Sequence, residues 1–233
     1  MSYRYNKELR KVSYKAYETR KDIIELSALI EKSLQKELKR RKKIARIDIA
    51  AREDEYEQLF QEAVHKDLIE QVGETFSRLQ RYALFTTAIA TIERNFVLLI
   101  QATSNTLNIN SEFSDRYSGV IARAIKYLEK EAGIKTNRFK NSIKLIKDLI
   151  SIRNCIVHAE GCLANRKEAQ EIRKFVCGIP TIEESPGEIL ILLPGFVENM
   201  THSIYTFFQV LVSAVEEKAQ QINASDPAQA PGS

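Results

Sequence analysis

The chain is expected to fold as an all-α bundle carrying one small β-hairpin, and three observations support this. All five prolines, Pro180, Pro186, Pro194, Pro227 and Pro231, fall in the last quarter, and Gly73 and Gly119 are the only glycines before Gly133. With so few breakers, residues 1–179 favour long helices. Apolar residues recur there at intervals of three and four, the helical period. Turn-punctuated, β-rich sequence is confined to "GIPTIEESPGEILILLPGF", where "ESPG" separates two short strand-like pieces, so a hairpin is expected near 179–193.

In chain order, a basic helical arm is expected over about 5–70, with Ile23, Leu26, Ile30, Leu34 and Leu38 as its apolar stripe. The stripe lapses in "KRRKKIAR", residues 39–46, where only Ile44 and Ala45 can be buried. A second helix, about Thr75–Thr103, places Leu79, Tyr82, Thr86, Ile89, Glu93, Phe96, Val97 and Ile100 on one stripe. A third spans about 114–131. The fourth starts near Arg138 and ends at Gly161, a residue suited to the left-handed position that closes a helix. Asn165 and Glu168 have the spacing of a capping box and open a fifth. Beyond the hairpin, Phe196, Met200, Ile204, Phe207, Leu211 and Val215 mark the stripe of the last helix, and "NASDPAQAPGS" reads as a disordered tail. The division is therefore an arm over 1–72, a helical domain over 73–222 and a tail over 223–233.

A length of 233 residues accommodates one core of about 150 residues plus an extension. The net charge of +4 conceals an asymmetry, because residues 1–46 hold 15 Lys and Arg against 6 Asp and Glu, or +9, which leaves −5 for the rest. The cysteines Cys155, Cys162 and Cys177 lack C-x-x-C spacing and do not pair with His at zinc-ligand intervals. They read as reduced thiols, and neither a metal nor a cofactor is expected. The charged N-terminus lacks a signal-type apolar segment, and no apolar run approaches the roughly 18 residues needed to span a bilayer, so a cytoplasmic protein off the membrane is expected. Glycine-rich phosphate loops, H-E-x-x-H and G-x-S-x-G are all missing, which removes support for nucleotide hydrolysis, zinc proteolysis and serine hydrolysis.

Two charged residues occupy apolar stripes. On the fourth helix, Phe139, Ile143, Ile146 and Ile150 lead in phase to Arg153 and then Val157; on the second, Glu93 sits between Ile89 and Phe96. An unpaired guanidinium is costly to bury, so these opposite charges are expected to face one another. Such a pair serves either as a register-fixing salt bridge or as part of a site. His158 favours the second use. Asn154 and His158 are four apart, about 40° around a helix, and Arg153 is long enough to lean towards them. An arginine to neutralise a phosphorane, an imidazole to move a proton and an amide to orient the substrate suffice for RNA cleavage without a metal. Lying near a helix C-terminus also favours the imidazolium form of His158.

The segment "RNCIVHAEG", with Arg153, Asn154 and His158, resembles the R-x4-6-H signature of the HEPN superfamily, small helical domains that include prokaryotic toxin and antiviral ribonucleases. Glu93 in "TIERNFVLLI" resembles the acidic residue those domains place on the preceding core helix. The resemblance covers about residues 74–222. It implies an HEPN-like antiparallel bundle, a homodimer whose two signatures face one another, and metal-independent endoribonuclease action on single-stranded RNA as a toxin or antiphage effector. An antitoxin or regulatory protein is a partner of the kind the family uses. Family toxins silenced by a nucleotidyltransferase often carry a tyrosine two residues after the histidine; position 160 here is Glu, which argues against that mode.

The basic arm admits three readings: Lys39, Arg40, Arg41, Lys42, Lys43 and Arg46, with Tyr3, Tyr5, Tyr14 and Tyr17, bind RNA; the stripe from Ile23 to Leu38 pairs with a partner helix; or the charges solvate an exposed helix. His65, His202 and Cys155 read as structural or surface residues. The rival to the ribonuclease is a non-catalytic helical interaction module that uses Glu93 and Arg153 only to hold its core.

Overall fold

The computed structural model describes residues 2–111, 113 and 119–225. The chain is predominantly helical, as its scarcity of breakers predicts. The helices are α1 (Ser2–Ala50), α2 (Glu55–Glu70), α3 (Ser77–Leu107), α4 (Val120–Lys130), α5 (Lys140–Ala159), α6 (Ala169–Val176) and α7 (Phe196–Ser225), and the strands are β1 (Ile182–Glu184) and β2 (Leu190–Leu192). The hairpin falls inside the expected segment, with Ile182 opposite Leu192, Glu183 opposite Ile191 and Glu184 opposite Leu190. Its turn is closed by Ser185, whose backbone N–H donates to the Ile189 carbonyl at 2.8 Å and whose hydroxyl accepts from the Ile189 N–H at 3.2 Å.

Several boundaries differ from the sequence expectation, each for a local reason. The arm is two helices, because Asp54 caps α2 by accepting from the Tyr56 N–H at 2.7 Å, with Glu55 and Glu57 in the first turn. Past Glu70 there is no interruption: a π-helical turn, Gln71–Phe76, carries α2 into α3. Gly73 lies inside that turn, and the Leu38 side chain is 3.6 Å from where its Cβ would be. Only the part of the third helix from Val120 onward is described, entered through Gly119 at φ 78°; its expected start at 114–118 lies outside the described residues. The Asn165–Glu168 box does not form. Asn165 is itself left-handed at φ 59°, and Glu168 caps α6 without a side-chain bond. α7 continues through Ser225 into the segment expected as tail, of which 226–233 lie outside the described residues.

The chain divides into two compact units. The first holds Met1–Asp22, Ala88–Arg153 and Asn199–Ser233. Phe96 packs edge-on against Phe208 with ring centroids 5.4 Å apart, and Phe207 meets Phe139 edge-on and Phe96 at a tilt. Leu9, Val12 and Ala16 of α1 are buried in this unit, and Ser13 donates to Gln209 of α7 at 2.7 Å. The start of the basic arm is therefore core material.

The second unit holds Ile23–Thr87 and Asn154–Glu198. Phe85 packs against Phe196 at 5.3 Å, and Arg81 makes a two-pronged pair with Glu31 at 2.6 and 2.9 Å while also donating to the Leu192 carbonyl. Leu26 and Leu79, both expected on apolar stripes, are exposed; Ile23 and Leu34 are buried, and Ser27 takes the place on the inner face of α1 that Leu26 was expected to fill. One helix, Glu55–Leu107, contains an 18-residue window that by length and composition passes as a membrane span, contrary to the expectation that no run comes close. Of that window 56% is buried inside the protein, as in a core helix.

Candidate functional site

The signature lies on the last two turns of α5. The buried face of this helix is formed by Ile146, Leu149, Ile152, Cys155 and Ile156, while Ile143 and Ile150 are half-buried and Val157 is exposed. The stripe is thus rotated from the one expected. Arg153, about 40° from Leu149 and 60° from Ile156, lies at the rim of the buried face instead of its centre. Its Nη2 donates to Glu93 Oε2 at 3.3 Å, and the two side chains keep 24% and 16% of their surface exposed. The expected pairing of these residues is present within the first unit, but as a half-buried contact. Its length exceeds the roughly 2.7–2.9 Å of a tight charge-assisted bond.

Asn154 is half-buried and held by its surroundings, whereas His158 is exposed. The helix ends through two left-handed residues, Glu160 at φ 52° and Gly161 at φ 83°, so the reversal begins one residue before the expected glycine. The Gly161 N–H reaches back to the Cys155 carbonyl at 3.2 Å, closing the last turn. Within the second unit this exit is clamped to the hairpin. Gly161 accepts from the Leu190 N–H at 3.0 Å, Cys162 bridges to Ile189, and Tyr82 donates to the Leu190 carbonyl. A Cβ at Gly161 would overlap the Tyr82 hydroxyl, so the position requires glycine on two counts. Burial pushes the Tyr82 phenol up to about 12, and keeps it a donor.

No protein-family model, curated protein or solved structure matches this chain. The site therefore rests on its own chemistry.

The six basic candidates are on α1. Lys39, Arg40, Lys42, Lys43 and Arg46 are exposed and Arg41 is half-buried. Arg40 and Arg41 both donate to Glu37 at 2.8 Å, and these hydrogen bonds hold the Glu37 carboxyl down at about 2. Two of the six cations are thereby committed to a local pair. The cysteines are free; burial raises the Cys155 thiol, whose sulfur contacts the Cys162 carbonyl, while Cys177 is exposed. His65 lies 3.2 Å from Asp48, which ties α2 to α1.

Three cavities of the first unit contain none of the signature residues. One of about 20 Å³ lies among Arg20, Asn95, Thr201 and Tyr205. One of about 410 Å³ opens beside Gln101, Ser104, Asn105 and Tyr127, and one of about 210 Å³ beside Lys135, Arg138 and Lys218. Among the described residues no group of three or more His, Cys, Asp or Glu side chains is placed to hold a metal ion. Sequence reasoning missed the Arg81–Glu31 pair, whose members are 50 residues apart with no spacing signal. The Asp54 cap did have a signal, in Asp54 followed by Glu55 and Glu57.

Proposed function

We propose that this chain is a metal-independent endoribonuclease of HEPN type, acting on single-stranded RNA from a composite cleft between two copies, as a toxin or antiphage effector in the cytoplasm. The observation that carries the reading is the Arg153–Glu93 contact: an arginine oriented by a carboxylate, still partly open to solvent, five residues before an exposed histidine on the same helix. Arg153 neutralises the charge that builds on the phosphate. Asn154 orients the substrate, and Glu93 positions the guanidinium. His158 moves protons. The ribose 2′-oxygen forms a bond to phosphorus as the bond to the 5′-oxygen breaks; one imidazole takes the 2′ proton and another supplies a proton to the departing oxygen. The products are a 2′,3′-cyclic phosphate and a 5′-hydroxyl.

Lys39, Arg40, Arg41, Lys42, Lys43 and Arg46 add sequence-independent attraction for the RNA backbone. A non-catalytic helical module is the second reading, favoured by the same contact, since a half-buried ion pair also fixes helix register. The two are separated by incubating the purified chain with single-stranded RNA in EDTA. Cyclic-phosphate ends that vanish in His158→Ala support the enzyme. Intact RNA, or cleavage that needs added Mg²⁺ or Mn²⁺, removes the mechanism.

A further inference from the structure

α2 presents its faces in an inverted sense. Its half-buried side consists of Gln58, Gln61, His65, Leu68 and Ile69, with His65 against Asp48 of α1. Its outward side carries Tyr56, Leu59, Phe60 and Val64, which are 79%, 60%, 60% and 38% exposed, and no residue of α2 is buried. At 100° per residue those four side chains span about 140°, centred opposite His65. An exposed, contiguous apolar face of this kind marks an interaction surface.

The charge around the face selects its occupant. α2 holds Glu55, Glu57, Glu62, Asp67 and Glu70 against Lys66 alone, a net of −4, which disfavours anionic lipid and nucleic acid. Residues 226–233 contain no aromatic or large aliphatic side chain that could cover it. A complementary surface exists on α1 of the same chain. Residues 36–47 hold seven Lys and Arg against Glu37, a net of +6. Leu29, Ser33, Lys36, Arg40, Lys43 and Ile47 follow one another at alternating steps of four and three, the spacing of a coiled-coil seam. Leu29 and Ile47, at the two ends of that row, are exposed. Lys39, Lys42 and Arg46 are turned about 100° from the row, so the basic segment has two distinct faces.

We propose that α2 of one copy of this chain docks on the outer row of α1 of a second copy, with Tyr56, Leu59, Phe60 and Val64 as apolar anchors and the acids of α2 against Lys36 and Lys43. In a two-fold arrangement the contact is made twice, α2 on the partner's α1 and the reverse. No residue of α5 enters this contact, and Lys43 is the residue it shares with the basic segment that the ribonuclease reading gives to RNA.

Sedimentation of the full chain over a range of concentrations tests it. The parent chain self-associates, and Phe60→Glu raises the dissociation constant roughly tenfold or more with an unchanged helical circular-dichroism spectrum, the side chain being exposed. Glu57→Lys with Glu62→Lys, and separately Lys36→Glu with Lys43→Glu, each weaken self-association. An equimolar mixture of these two chains associates again, because both contacts of the mixed pair regain opposite charges. A parent that stays monomeric at every concentration overturns the proposal, as does binding of the monomer to zwitterionic or cationic vesicles through Phe60. If Phe60→Glu and the charge variants associate like the parent while His158→Ala does not, the interface lies at the end of α5; this proposal then fails and the composite cleft stands.

Discussion

At the scale of the residue, Arg153 shows how a sequence pattern and a structure can agree on a contact and differ on its energy. The phase of the apolar residues in α5 brings Arg153 towards Glu93, and the two do meet. A stripe is broad, however, and periodicity does not resolve its centre from its rim. The most buried members, Leu149, Ile152 and Cys155, were not on the expected line at all. The energetic consequence follows from exposure. A fully buried pair broken on one side costs about 3–5 kcal/mol and an exposed one less than about 1; with both partners half-buried, Arg153→Ala should lose about 1–2 kcal/mol. His158→Ala, at an exposed position, should melt with the parent while losing cleavage. Denaturant titration of the three proteins checks both, and equal stability of Arg153→Ala and parent would show that the contact with Glu93 contributes nothing to the fold.

At the scale of the element, helices and hairpin were legible because their signals are local: scarce Pro and Gly, a period of three to four, and "ESPG" between apolar triplets. What was not legible depends on neighbours distant in sequence. The arm looked separable because its charge is concentrated, yet Leu9, Val12 and Ala16 are buried in the first unit, so removing residues 1–46 would damage the core along with the charge. The role of the basic segment is better probed on its exposed face. Replacing Lys39, Lys42 and Arg46 by Gln should leave the fold intact and flatten the salt dependence of single-stranded RNA binding, by roughly two units of slope if each cation meets one phosphate. An unaltered slope in a filter-binding titration would assign this face to solvent. The candidate catalytic residues were legible as a linear motif, while the clamp of Gly161 beneath Tyr82 was not, because Tyr82 approaches from a helix some 80 positions away.

At the scale of the whole molecule, one His158 per chain supplies one proton carrier, whereas in-line transfer needs a base and an acid on opposite sides of phosphorus. Two copies related by a two-fold axis supply both. In mixtures of parent and His158→Ala chains at fixed total concentration, activity should therefore fall with the square of the parent fraction; a linear fall would place a complete site in each copy. Association in this chain has a second determinant, in the π-helical turn at Gln71–Phe76. Such a turn holds one residue more than an α-helical turn, so everything on its N-terminal side is carried about 100° further around the axis. The turn acts as a phase shifter between α3, whose apolar side is sheathed, and α2, whose apolar side is bare. A chain of the same length with a regular α-helical turn at this point would rotate α2 by about 100° about its axis and take Tyr56 and Leu59 off their outward bearing.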